Sequence, residues 1–356
     1  LTVFFDCRFI RPGSPDGITR FSQQLFTELS RLIPLTAIIS SKKQLELLPA
    51  GTNHLMANEP TNPIAELMLP RLLNRQGAKV VFSPMQTTGS WGRKYRLILT
   101  QHDLIYYRHR RPPDFLPLYV RLAWRLFHLS YAPARLLLNR ADIVATISNT
   151  TRDLMLRHRL TKRPIEIVSN AASWDIGPSR QLPENRQLLY MGSYLGYKNV
   201  ELLIAAMAEL PGYKLLLLSA ITDSRKAELS ALIDPRGGEV RFLSGVSEEQ
   251  YRKLVSESFA LVTASLDEGF GIPLVEAFSQ GLPVVCSDIE IFREVAGDAA
   301  LFFSETSVAE LVRALTDLAV PENWNRLSSL AQRRSELFSW KKSAEKLKTL
   351  IDSLRG

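Results

Sequence analysis

The run Asp267-Glu268-Gly269-Phe270-Gly271-Ile272-Pro273-Leu274-Val275-Glu276-Ala277 sets two glutamates, seven residues apart, around a pair of glycines and a proline. It follows the apolar stretch 260–264 and leads into a helical pattern that stops at Gln280-Gly281. Glycines let a backbone approach a ligand closely, and Pro273 suits the first position of a helix. The backbone N–H groups of Gly269, Phe270, Gly271, Ile272 and Leu274 would then point at an anion, best a phosphate. Glu268 at the strand end and Glu276 in the first helical turn fall near the same spot. Carboxylates do not bind phosphate, but they accept hydrogen bonds from sugar hydroxyls. A phosphate cradle beside two hydroxyl acceptors describes a nucleotide-sugar site. Taken one at a time, the same glycines and acids also suit an ordinary strand–turn–helix.

Three further places carry chemistry. Gly192-Ser193-Tyr194-Leu195-Gly196-Tyr197-Lys198-Asn199 lies between a strand and a helix, a glycine-containing loop ending in a cation and suited to a diphosphate. Lys198 is otherwise a solvated loop lysine. Asp16-Gly17-Ile18-Thr19-Arg20-Phe21 reads as a helix start capped by Asp16 or Thr19, with Gly17 at the turn. Thr100-Gln101-His102-Asp103 ends another strand, where open α/β sheets bind ligands. His102 there is a candidate site residue, with Asp103 available to fix its ring.

The eleven-residue string closely resembles the motif of retaining glycosyltransferases of family 4, in the GT-B superfamily, and the resemblance extends over nearly the whole chain. It implies that Glu276 holds the nucleotide ribose and that Glu268 contacts hydroxyls of the transferred sugar. His102 would meet the donor sugar near the reacting carbon, and Gly17 would lie in a loop over the phosphate and the acceptor. The family carries a Gly-Arg…Lys pattern on the leaving diphosphate. Gly192 and Lys198 match it, but Ser193 stands where arginine is usual. Arg20 and Arg293 are candidates to replace that cation. Lys198, Glu268 and His102 are thus the expected catalytic residues.

The resemblance also implies front-face attack, with the departing β-phosphate helping to remove the acceptor's proton. No metal is expected: the chain has no Asp-x-Asp, and Asp288-Ile289-Glu290 reads as a turn into a helix. No cofactor beyond the sugar nucleotide is implied. Asp6-Cys7-Arg8, the Gly17–Phe21 loop and His102-Asp103 together look most like the bacterial mannosyltransferase B branch, which favours GDP-mannose and leaves UDP-hexoses open. A GT-B epimerase or phosphorylase, or a non-catalytic partner subunit, would share much of this pattern. The joint presence of Lys198, Glu268 and Glu276 argues for catalysis.

The elements that must position these residues are short apolar runs alternating with helical stretches, the pattern of parallel sheets built from βαβ units. Strands are expected at 2–6, 35–40, 79–83, 97–100, 143–147 and 165–168. A second series falls at 188–191, 214–219, 240–243, 260–264, 283–287 and 300–303. Helices are expected at 18–33, 149–157, 200–210, 247–256 and 308–318, among others. Turn formers over 169–185 break the periodicity. The expected architecture is α/β, a GT-B fold of two Rossmann-like domains facing across a cleft. An acceptor-binding domain takes in 1–168 with 340–356, its last helix crossing back, and a nucleotide-sugar domain takes in 169–339.

At 356 residues each such domain can build its own core. The chain starts directly in a strand without a leader-like segment, and no apolar run approaches the roughly 18–20 residues needed to span a bilayer. Two lone cysteines support neither a disulfide framework nor a zinc site, so a reducing cytoplasm is expected. Residues 1–168 carry 24 Lys+Arg against 11 Asp+Glu, and the remainder 20 against 25. Such a basic half suits an anionic partner, yet no nucleic-acid-binding motif accompanies it. Between Tyr106 and Arg140, Arg108, Arg110, Arg111, Tyr119, Arg121, Trp124, Arg125, Phe127, His128, Tyr131 and Arg135 interleave aromatic and basic character. That pattern points to an anionic membrane surface on the inner face of the cell membrane and to a glycan or lipid-linked acceptor. A core helix with a solvated arginine face would carry the same residues.

Overall fold

The computed structural model describes residues 2–13, 16–110 and 118–354. The chain divides into two compact units, Leu1–Asn170 with Ser339–Gly356, and Ala171–Phe338. In the first unit the described strands form one parallel sheet in the order β3-β2-β1-β4-β5-β6-β7. These are β1 (Val3–Asp6), β2 (Leu35–Ile39), β3 (Asn53–Met56), β4 (Val80–Ser83), β5 (Arg96–Gln101), β6 (Ile143–Thr146) and β7 (Ile165–Ile167). In the second unit the order is β10-β9-β8-β11-β12-β13. Here β8 is Gln187–Tyr190, β9 Lys214–Leu217, β10 Glu239–Phe242, β11 Ala260–Thr263, β12 Val284–Ser287 and β13 Ala300–Phe303.

Central strands such as Val3-Phe4-Phe5-Asp6 and Ala260-Leu261-Val262-Thr263 are buried along their whole length, because helices cover both faces of a parallel sheet. Edge strand β3, Asn53-His54-Leu55-Met56, is half polar and largely exposed, so it shows no apolar run in the sequence. Helix Gly17–Ser30 buries Phe21, Leu25, Phe26 and Leu29, a stripe at helical spacing, and Asp16 caps it by accepting the Thr19 N–H at 2.7 Å. The closing helix Trp340–Ser353 packs against it, with the Trp340 and Phe21 rings 6.0 Å apart edge to face. Ser339 caps this helix, and Ser343 Oγ donates to the Ser169 carbonyl at 2.7 Å.

The strand order of each all-parallel sheet reverses next to its first strand, between β1 and β4 and between β8 and β11. In doubly wound sheets, the carboxyl ends of the strands at such a switch point form the ligand crevice.

Candidate active site

Tyr190 ends β8 fully buried, and its phenol donates to the Ser193 carbonyl at 2.6 Å. A Cβ on Gly192 would lie 2.7 Å from that phenol oxygen, so the position takes glycine. The Gly192 N–H donates to Ser219 Oγ at 3.2 Å. The Ser193 side chain is exposed. The loop closes with a 3₁₀ turn, Gly196–Lys198, and with Asn199 in the left-handed region at φ 51°. Asparagine tolerates this conformation, and Asn199 Nδ2 is anchored on the Glu305 carbonyl at 2.8 Å. This turn presents Lys198.

The loop after β11 meets it. The Leu266 N–H donates to the Tyr197 carbonyl at 2.7 Å. Lys198 Nζ lies 2.5 Å from Glu268 Oε1, with both side chains about 15% exposed. Ser265 Oγ donates to the same Glu268 oxygen at 2.9 Å, and Ser287 Oγ fixes the Ser265 carbonyl at 2.5 Å. Ser265 joins the candidate site through this bond, and its signal in the sequence is a hydroxyl three positions before Glu268.

Gly271, at φ 97°, opens the helix Ile272–Ser279, and a Cβ there would come within 2.9 Å of the Phe292 ring. The helix therefore begins at Ile272, and Pro273 takes its second position rather than the first. Glu276 is the fifth residue, just past the first turn instead of within it, and only 1% exposed. Gly269, Phe270 and Leu274 are buried and Ile272 is half-buried. Phe270 sets its ring edge-on to Phe338 at 5.5 Å. Met191, Thr263, Glu268, Gly271, Leu274 and Phe292 line a small recess between the two loops.

The candidate cations of this unit are engaged elsewhere. Arg293 makes two hydrogen bonds to Asp288, at 2.6 and 2.7 Å, and stacks over Phe302 at 4.0 Å. Those bonds hold the Asp288 carboxyl below its ordinary range. Arg225 donates to the Tyr194 carbonyl at 3.2 Å, but Glu201 and Glu228 take up its guanidinium. Arg20 belongs to the first unit.

In the first unit, His102 follows β5 and its ring packs edge-on against Phe21 at 4.9 Å, one turn after Gly17. His102 Nε2 lies 2.7 Å from the Pro84 carbonyl. A carbonyl only accepts, so Nε2 carries the proton and the lone pair is on Nδ1. Burial lowers the ring's pKa to about 4, so it is neutral at pH 7. Asp103 Oδ1 accepts from the Ile105 N–H at 3.0 Å.

Two family profiles match consecutive stretches of the chain: Glycosyltransferase Family 4 over residues 17–173 and glycosyl transferases group 1 over 175–332. The chain belongs to glycosyltransferase family 4. This glycosyltransferase is 28% identical to O-antigen chain mannosyltransferase B of Escherichia coli over 261 residues, 69% of this chain and 67% of that one. It is 27% identical to the O-antigen chain mannosyltransferase RfbU of Salmonella typhimurium over 198 residues, and the match spans only 56% of RfbU's length. The crystal structure of HepE from Anabaena in complex with UDP-glucose matches its fold with a TM-score of 0.73 at 16% identity, covering 99% of both chains. The two-domain α/β fold is GT-B.

The basic segment of this glycosyltransferase is arranged differently from the sequence reading. Its aromatic residues pack ring against ring rather than interleave with arginines at the surface: Tyr106 edge-on to Trp124, Trp124 against His128, His128 against Tyr107, and Tyr107 against Tyr131, with centroids 4.2–5.0 Å apart. The outward stripe is leucine: Leu118, Leu122, Leu126 and Leu129 are 58–80% exposed. Arg125 is exposed beside them and Arg121 is half-buried. Arg111 and the side chain of Tyr119 lie outside the described residues. Among the described residues no helix is long and apolar enough to cross a membrane.

Proposed function

We propose that this glycosyltransferase is a retaining, metal-independent enzyme that moves a hexose from a sugar nucleotide to a glycan or lipid-linked acceptor. Mannose from GDP-mannose is the preferred donor group, and UDP-hexoses are the alternative. The observation that carries the reading is the Lys198–Glu268 pair at the β8/β11 switch point, a cation and a hydroxyl acceptor side by side. Lys198 and the opening N–H groups of the helix Ile272–Ser279 face the charge that gathers on the β-phosphate as its bond to the sugar breaks. Glu268 holds sugar hydroxyls, Glu276 holds the ribose, and His102 Nδ1 accepts from the sugar. The acceptor oxygen bonds to the anomeric carbon on the face the phosphate leaves, and its proton passes to that phosphate. The names of the mannosyltransferase relatives support mannose, while the HepE complex supports a sugar nucleotide and keeps UDP donors in view.

The partner surface is an anionic membrane, on the cytoplasmic face. The leucine stripe with arginine flanks supports this, since apolar side chains enter the acyl boundary while cations meet lipid phosphates. Two copies pairing through the same stripe would instead bring like charges together.

A thermal-shift panel of GDP-mannose, UDP-glucose and UDP-galactose, each with EDTA and with Mg²⁺, tests the donor and the metal together. One sugar nucleotide should raise Tm equally in both conditions. NMR of the product should show the donor's anomeric configuration kept. A metal-dependent shift, an inverted product, or no response to any nucleotide overturns the proposal.

A further inference from the structure

At the carboxyl end of β1, Asp6 and Arg8 are fully buried and paired, Arg8 Nε to Asp6 Oδ1 at 2.8 Å and Nη2 to Oδ2 at 2.9 Å. Arg8 also binds the Glu66 carboxylate and donates to the Asn58 carbonyl at 3.2 Å. Replacing such a buried ionic cluster by apolar side chains is often neutral for stability, so stability alone is a weak reason for it. Its bonds converge elsewhere, on the loop after β4. Asp6 Oδ2 accepts from Thr88 Oγ1 at 3.0 Å and from Ser83 Oγ at 3.4 Å, and those hydroxyls lie 2.6 Å apart. Glu66 Oε2 accepts the Gly89 N–H at 2.8 Å, and Thr100 Oγ1 donates to the Ser83 carbonyl at 2.9 Å. A Cβ on Gly89 would sit 1.9 Å from the Glu66 carbonyl oxygen, so the loop lies directly against this cluster. Between these anchors is Pro84, whose carbonyl takes the His102 Nε2 proton.

We propose that Arg8 and Asp6 are positioning residues for His102: through Ser83 and Thr88 they fix the Pro84 carbonyl, which holds the imidazole as its Nε2–H tautomer and reserves Nδ1 as the acceptor. The tautomer follows from the loop alone; its consequence for transfer rests on the donor-sugar role given to His102 above. Thr88→Val keeps the shape of the side chain and removes its donor to Asp6. Asp6→Asn keeps the shape and removes the charge.

The test is ¹⁵N NMR of the full chain labelled at histidine, with His102 assigned by His102→Asn, alongside transfer kinetics. The wild type should show one Nε2–H tautomer at pH 7.5. In Thr88→Val and Asp6→Asn, with Tm confirming a folded chain, both tautomers should appear, and kcat for transfer should fall about tenfold, the low end of what loss of an outer-shell partner costs at a metal-bound histidine. Ser83→Ala supplies a further variant if Asp6→Asn does not fold. A single unchanged tautomer in the folded variants overturns the proposal. A mixed tautomer with unchanged transfer supports the positioning and overturns the sugar-binding role of His102.

Discussion

Lys198 and Glu268, 70 positions apart in the chain, meet at 2.5 Å where β8 and β11 run side by side. A diphosphate that engages Lys198 therefore competes with Glu268, and a sugar hydroxyl that engages Glu268 competes with Lys198. On the function proposed above, a sugar nucleotide would satisfy both groups by inserting between them.

Removing the competition should separate binding from transfer. In Glu268→Gln, affinity for the nucleoside diphosphate alone should rise by roughly threefold or more, because a charge-assisted bond to Lys198 is freed for phosphate. Transfer should nonetheless drop by about 100-fold as the sugar hydroxyls exchange a charged acceptor for a neutral amide oxygen. Lys198→Ala should lower kcat by a similar factor while changing donor Kd less. Calorimetry with the diphosphate and steady-state kinetics give the two readouts.

Ser193 is exposed, and Arg225 and Arg293 are held by carboxylates, so Ser193→Arg adds a new guanidinium to this loop without disturbing the core. Donor KM should fall by roughly 3- to 10-fold, with Tm shifted by no more than about 2 °C. Unchanged donor kinetics would mean that the diphosphate does not pass over this loop.

Burial holds the His102 ring near pKa 4, against 6.5 for an ordinary histidine. The folded chain stays neutral at this site where the unfolded chain already takes up a proton. The contribution to stability is therefore full above pH 6.5 and is lost as the pH falls toward 4, by roughly 3 kcal/mol in all. Urea midpoints of wild type and His102→Asn should draw together between pH 7.5 and 4.5. Parallel curves would show that the ring titrates normally.

Leu122→Glu with Leu126→Glu changes two exposed side chains and should leave Tm within a few degrees. Sedimentation with phosphatidylglycerol vesicles should lose at least about tenfold in binding, given the area and charge involved. The wild type should release as salt rises from 0.1 to 1 M. Equal binding of the two chains would remove this stripe from the membrane contact.

The sequence made the chemistry legible where it is local. The helices Asn149–Arg157 and Val308–Leu318 carry their apolar spacing and serine caps in plain view. The glycine-flanked string around Glu268 announced a strand, a sharp turn and a helix start. Strand β3 escaped notice because an edge strand need not be apolar. The first helical turn after Gly271 was misplaced by one residue because a left-handed glycine, and not the proline, begins it. Contacts that depend on strand order were out of reach: nothing near Lys198 signals Glu268, and nothing near His102 signals Pro84. The outward leucine stripe was hidden too, since the sequence does not show which side of that helix the packed rings occupy.

The phenol of Tyr190, tucked beneath the Ser193 carbonyl, leaves the neighbouring position no room for anything but hydrogen. Variation in this turn is thereby channelled outward to residue 193, whose side chain faces solvent and leaves the packing beneath it untouched. If the donor passes over this turn as proposed, a lineage could retune its grip one codon at a time, with the architecture underneath indifferent to the experiment.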